Sequence, residues 1–135
     1  MAAKILTVDD SKAIRMVIQR TLGEFDCAFC EAANGEDGLA AALREKPDLI
    51  LLDISMPIMD GVSLLAALRQ DPQLRATPVI MLSAELKGES TARLSLLGVS
   101  DYLVKPFKEQ MLLDKVRKII SLSAKPARPE CLGQG

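Results

Sequence analysis

Short runs of consecutive aliphatic residues alternate along this chain with stretches where apolar side chains recur every three or four positions. The runs are Ile5–Val8, Cys27–Ala32, Leu49–Leu52, Val79–Leu82 and Asp101–Val104, and each reads as a strand. Leu49–Leu52 is an unbroken aliphatic run, as expected of a strand covered on both faces. The stretches between them predict helices. Ser11 caps the first, whose stripe of Ala13, Ile14, Val17, Ile18 and Leu22 has helical spacing, and Gly23 ends it. Asn34-Gly35 turns the chain into a second helix over Glu36–Glu45, with Leu39 and Leu43 as its buried positions and Pro47 as a stop. A third helix covers Val62–Arg69 and a fourth Leu86–Leu97. Gly88 near the start of the fourth makes it the least secure, since glycine costs about 1 kcal/mol inside a helix. A fifth runs over Glu109–Leu122 and turns Met111, Leu112, Val116, Ile119 and Ile120 inward.

Strict alternation of strand and helix predicts an α/β domain, a (βα)₅ doubly wound parallel sheet. In such sheets ligands bind beyond the carboxyl ends of the strands, where strand order reverses. Asp9 and Asp10, Asp53, Ser83 and Lys105 each directly follow a predicted strand, so all of them meet at that edge. Each has a plainer reading alone: Asp9 and Asp10 as helix caps, Ser83 as a loop residue, Lys105 as a solvated charge. Asp53 resists such a reading, because a carboxylate directly after four aliphatics needs a partner to offset its desolvation. Taken together, three carboxylates repel one another and call for a cation. Oxygen ligands without histidine favour a hard ion, Mg²⁺ or Mn²⁺. The chemistry indicated is a metal-dependent phosphoryl site with one carboxylate as nucleophile.

Composition narrows the partners. The chain has 135 residues, enough for one core, with 49% hydrophobic and 26% charged residues, a globular balance. A net charge of −1 offers no electrostatic footprint for nucleic acid. No segment reaches the roughly 20 apolar residues of a membrane span, so no membrane insertion is expected. The amino terminus runs directly into strand-like sequence without a signal peptide, which makes the cytoplasm the expected compartment. Cys27 and Cys30 form a C-x-x-C, but on a strand positions three apart point to opposite faces, so a redox role is not expected. Cys131 lies in the tail, Ser123–Gly135, which has no periodicity and reads as a flexible linker after a domain over residues 1–122.

The segments Val8-Asp9-Asp10-Ser11, Leu52-Asp53-Ile54-Ser55-Met56-Pro57-Ile58-Met59-Asp60-Gly61, Ser83-Ala84 and Tyr102-Leu103-Val104-Lys105-Pro106-Phe107 resemble the receiver domain of bacterial response regulators. The resemblance spans residues 4–122 and implies a flavodoxin-like strand order, 2-1-3-4-5. It implies that Asp53 is the phosphoacceptor, that Asp9, Asp10, Asp53 and the Ser55 backbone carbonyl hold Mg²⁺, and that Lys105 and Ser83 engage phosphoryl oxygens. Tyr102 would move with Ser83 as a switch, and Ser55 and Glu85 would tune hydrolysis of the acyl phosphate. Val99, after Gly98, stands where alanine is more usual in the family.

The chain contains no histidine, so the phosphoryl donor would be a sensor histidine kinase, a phosphotransfer protein or a small acyl phosphate. The resemblance implies a non-enzymatic signalling domain that catalyses only its own phosphorylation and dephosphorylation. It would act on a downstream target protein through the face of the fourth helix, fifth strand and fifth helix, as a monomer or a weak phosphorylation-dependent dimer. The stretch Val8–Arg15 is closer to chemotaxis and motility receivers than to transcription factors, and the short tail points to a stand-alone regulator. A receiver from the front of a longer regulator stays open. So do a phosphorylation-independent interaction module and an Mg²⁺-dependent phosphatase, although Ser55 stands where such a phosphatase carries its acid. A flavin site is disfavoured by a single Tyr and no Trp.

Overall fold

A computed structural model of the chain describes residues 3–54, 56, 58–83 and 95–120. Five strands, β1 (Ala3–Val8), β2 (Cys27–Ala32), β3 (Leu49–Asp53), β4 (Val79–Ser83) and β5 (Asp101–Val104), form one parallel sheet in the order β2-β1-β3-β4-β5. Four helices are described: α1 (Lys12–Leu22), α2 (Gly35–Glu45), α3 (Gly61–Gln70) and α4 (Glu109–Arg117). This is the flavodoxin-like α/β fold expected. The predicted fourth helix falls mainly on residues outside the described set, and the predicted tail, Ser123–Gly135, lies wholly outside it. The predicted fifth helix is α4, and it gives way to turns after Arg117, short of Leu122.

The sheet divides the core into two layers by residue parity. Leu6, Val8, Ile50, Leu52, Val79 and Met81 face α2 and α3. Ile5, Leu49, Leu51, Ile80, Leu82 and Leu103 face α1 and α4. All of β3 and β4 is buried, which is why both read as unbroken aliphatic runs.

Helix α2 packs differently from the expectation. Leu43 is exposed and Leu39 half-buried, while Gly38, Ala41 and Ala42 are the buried face. The reason is close approach: a Cβ at Gly38 would lie 2.8 Å from Val8 Cγ1 and 3.1 Å from Leu64 Cδ2. The helix lies down on its small residues and the leucines flank the contact. Ala13 on α1 and Met111 on α4 are likewise exposed, whereas Ile18, Leu22, Leu112 and Val116 are buried as expected.

Arg69, at the end of α3, ties together backbone that belongs to no regular element. Its Nε donates to Leu97 O at 2.8 Å, Nη1 to Thr77 O at 2.9 Å and Arg75 O at 3.1 Å, and Nη2 to Gly98 O at 2.8 Å. These carbonyls border the starts of β4 and β5, so one guanidinium sets where both strands enter the sheet. Arg69→Ala leaves several carbonyls without a donor. It is expected to lower the unfolding free energy by about 2–3 kcal/mol, read by urea denaturation, with Arg69→Lys recovering less than half.

Candidate functional site

The sheet carries Asp9, Asp53, Ser83 and Lys105 to one edge. Asp53 and Ser83 are the last residues of β3 and β4; Asp9 and Lys105 directly follow β1 and β5. Register fixes their order across the edge, since Asp53 pairs with Leu82 and Ser83 with Val104. Asp9 is fully buried, Asp53 is 4% exposed and Ser83 6% exposed, whereas Asp10 faces solvent. One carboxylate oxygen from each of Asp9, Asp10 and Asp53 lies within 4.8 Å of the others.

Local bonds explain why the chain turns as it does here. Asp9 N donates to Ala32 O at 3.0 Å, which continues the β1–β2 pairing one residue past the strand. The Ser11 amide then donates to Asp9 Oδ1 at 2.8 Å, and Ser11 Oγ accepts from Ile14 N at 3.3 Å to start α1. Ser11 is thus the helix cap, which leaves the carboxylates of Asp9 and Asp10 for other work. On the far side of Asp53, Gly61 N donates to Ile54 O at 2.8 Å and Asp60 caps α3 through the Ser63 amide. A Cβ at Gly61 would collide with the Asp53 carbonyl, so only glycine lets α3 begin this close to the acidic edge.

Lys105 is the cation within the cluster. Its Nζ lies 2.8 Å from Asp9 Oδ2 and 3.3 Å from Asp53 Oδ1. Burial alone pulls the ammonium down, but the close contact and charge of Asp9, then the charge and close contact of Asp53, outweigh it and hold its pKa above the ordinary lysine value. A raised folded-state value means that this contribution is complete at neutral pH and is lost only as pH climbs above that range. Asp9 Oδ2 still lacks a well-directed hydrogen-bond donor among the described residues; the Lys105 contact is an ion pair. A buried, incompletely satisfied carboxylate, two more within reach, hard oxygen donors throughout and an open side at Asp10 fit a divalent cation of the Mg²⁺ class.

Of the other residues singled out from sequence, Tyr102 is half-buried on β5 with its hydroxyl 3.2 Å from Ser95 Oγ. Ser55 and Glu85 lie outside the described residues. Burial raises the pKa of the Cys30 thiol, which leaves it a poor nucleophile and agrees with a packing role for the C-x-x-C. Two arginines shape the fold and the site through main-chain carbonyls that no side-chain pattern reveals: Arg69, above, and Arg15, whose Nη1 donates to Asp9 O at 2.6 Å.

Removing the cation while the carboxylates stay has a clear consequence. Lys105→Ala is expected to lower the unfolding free energy in metal-free buffer at pH 7 by about 3 kcal/mol, the order found when one partner of a buried pair is lost. Urea denaturation reads this directly, and an unchanged midpoint would remove Lys105 from the account of how the cluster is held.

Residues 5–117 match the family described as the response regulator receiver domain. The chain is 38% identical over 119 residues to the chemotaxis protein CheY of Pseudomonas aeruginosa, covering 86% of this chain and 94% of that protein. It is 39% identical over 119 residues to the transcriptional regulatory protein ResD of Bacillus subtilis, covering 87% of this chain but only 48% of ResD. Among solved structures, the chemotaxis protein CheY4 of Vibrio cholerae superposes with a TM-score of 0.84 at 34% identity, over 89% of this chain and all (100%) of that one. With the strand order and the acidic edge already established, the chain belongs to the response regulator receiver domain family.

Proposed function

We propose that this chain accepts a phosphoryl group on Asp53 and passes the change to a protein partner. The observation that carries this reading is the meeting of three carboxylates within 4.8 Å beside the Lys105 ammonium. An Asp53 carboxylate oxygen attacks phosphorus, the new O–P bond forms, and the bond to the donor's leaving group breaks with its electron pair. A divalent cation held by Asp9, Asp10 and Asp53, with Mg²⁺ the best fit to the donor set, supplies charge neutralisation for the phosphoryl oxygens when bound. Lys105 turns from Asp53 toward a phosphoryl oxygen, and the Ser83 hydroxyl donates to another. The Ser55 carbonyl as a further metal ligand, and Ser55 and Glu85 as controls on water access, belong to the same reading.

The donor is a histidine kinase or phosphotransfer protein, as family membership implies. The output is carried by β5, α4 and the neighbouring Ser95 and Leu96. Leu96, Val104 and Met111 are exposed on these elements, at 89%, 41% and 49%. Tyr102 links them to the site: Ser83 pairs with Val104, two residues from Tyr102, and the tyrosine hydroxyl meets Ser95. The 38% identity to CheY favours a receiver of the chemotaxis or motility type, and the match to ResD over 48% of its length keeps a receiver within a longer transcriptional regulator as the second reading.

Incubation with acetyl phosphate followed by intact-mass measurement tests the chemistry. One phosphoryl adduct is expected, dependent on Mg²⁺ and absent in Asp53→Asn. An adduct that persists in Asp53→Asn, or none where another receiver is labelled, contradicts the assignment.

A further inference from the structure

We propose that Arg15 is a positioning residue for the acidic edge: it clamps the main chain of Asp9 and so sets the geometry in which Asp9 and Asp10 receive a divalent cation. The inference rests on the metal-assisted reading above. Arg15 lies in the first turn of α1, and its own amide donates to Ser11 O at 3.1 Å. Its side chain turns back toward the strand the helix came from. Nη1 donates to the Asp9 carbonyl at 2.6 Å, and Nε to Glu31 Oε1, on β2, at 3.0 Å. The Arg15 side chain is only 16% exposed, against 43% for Glu31, so the guanidinium is held and the carboxylate forms its outer wall.

Three contacts therefore converge on Asp9. β2 accepts its amide, α1 supplies the Ser11 amide to its carboxylate, and Arg15 takes its carbonyl while anchored to β2 through Glu31. A planar fork can serve a carbonyl and a carboxylate at fixed separation; a lysine ammonium has no such fixed geometry. Groups that orient metal ligands in this way commonly change metal affinity by about tenfold or more when removed. Charge alone would act in the opposite direction, because deleting a cation near a dication site tightens binding. The sign of the change separates positioning from simple electrostatics, and a staple that serves only the fold alters the melting temperature without altering affinity.

The test is calorimetric titration of Mg²⁺ into the wild type, Arg15→Ala and Arg15→Lys, at a temperature where circular dichroism shows each folded. The dissociation constant is expected to rise about tenfold in Arg15→Ala and about threefold in Arg15→Lys. Should Arg15→Ala fail to fold, Arg15→Lys alone decides. Variants that bind Mg²⁺ as tightly as the wild type, or more tightly, overturn the role of Arg15 and leave the metal reading standing. A wild type that binds no Mg²⁺ overturns that reading and this inference with it.

Discussion

Repulsion among Asp9, Asp10 and Asp53 is the constraint around which the rest of the molecule is arranged. Their oxygens lie within 4.8 Å at the rim of an apolar sheet, and two of the three side chains are buried. Like charges so close in a poorly screened setting cost free energy, and the Lys105 ammonium offsets only part of that cost. It reaches Asp9 and Asp53 from the end of β5, so the outermost strand is drawn into the balance of the innermost ones. Anything that changes the charge at this edge, whether a dication or a phosphoryl group, acts on Lys105 and through it on β5. The acidic cluster is in this sense an imbalance that the proposed function would use.

Such an arrangement requires a rigid frame, and packing supplies it. β3 and β4 are buried on both faces, and parity divides their side chains between two core layers. α2 comes close to the sheet because Gly38 has no side chain, and α3 starts directly beneath Asp53 because Gly61 has none. At the opposite end of α3, Arg69 gathers loop carbonyls that no strand or helix satisfies. Each of these features fixes backbone around the side chains that the proposed function would move: Lys105, Ser83 and Tyr102, whose hydroxyl meets Ser95.

Much of this was legible in the sequence because doubly buried strands and strand-end polar residues leave a strong linear signal. The run Leu49–Leu52 followed by Asp53 is unambiguous, and Asp9, Ser83 and Lys105 follow the same rule. Helix faces were harder. Leu39, Leu43 and Met111 sit at plausible spacing, yet small residues took the contact on α2 and Met111 stayed in solvent. The arginines were harder still. Arg69 donates to main-chain carbonyls, and Arg15 to one main-chain carbonyl beside the Glu31 carboxylate; a carbonyl brought near by the fold has no letter in the sequence.

The central claim is that the acidic edge is built to take a cation and that its repulsion burdens the fold when no cation is bound. The most direct measurement is the urea unfolding free energy of the wild type and Asp10→Asn as a function of Mg²⁺ concentration. The account predicts that Asp10→Asn is the more stable of the two without Mg²⁺, since one repelling charge is gone. It also predicts that only the wild type gains substantially with Mg²⁺, by about 2.7 kcal/mol at a hundredfold excess over its dissociation constant. Equal stability without the ion, together with equal or no gain from it, would contradict the account.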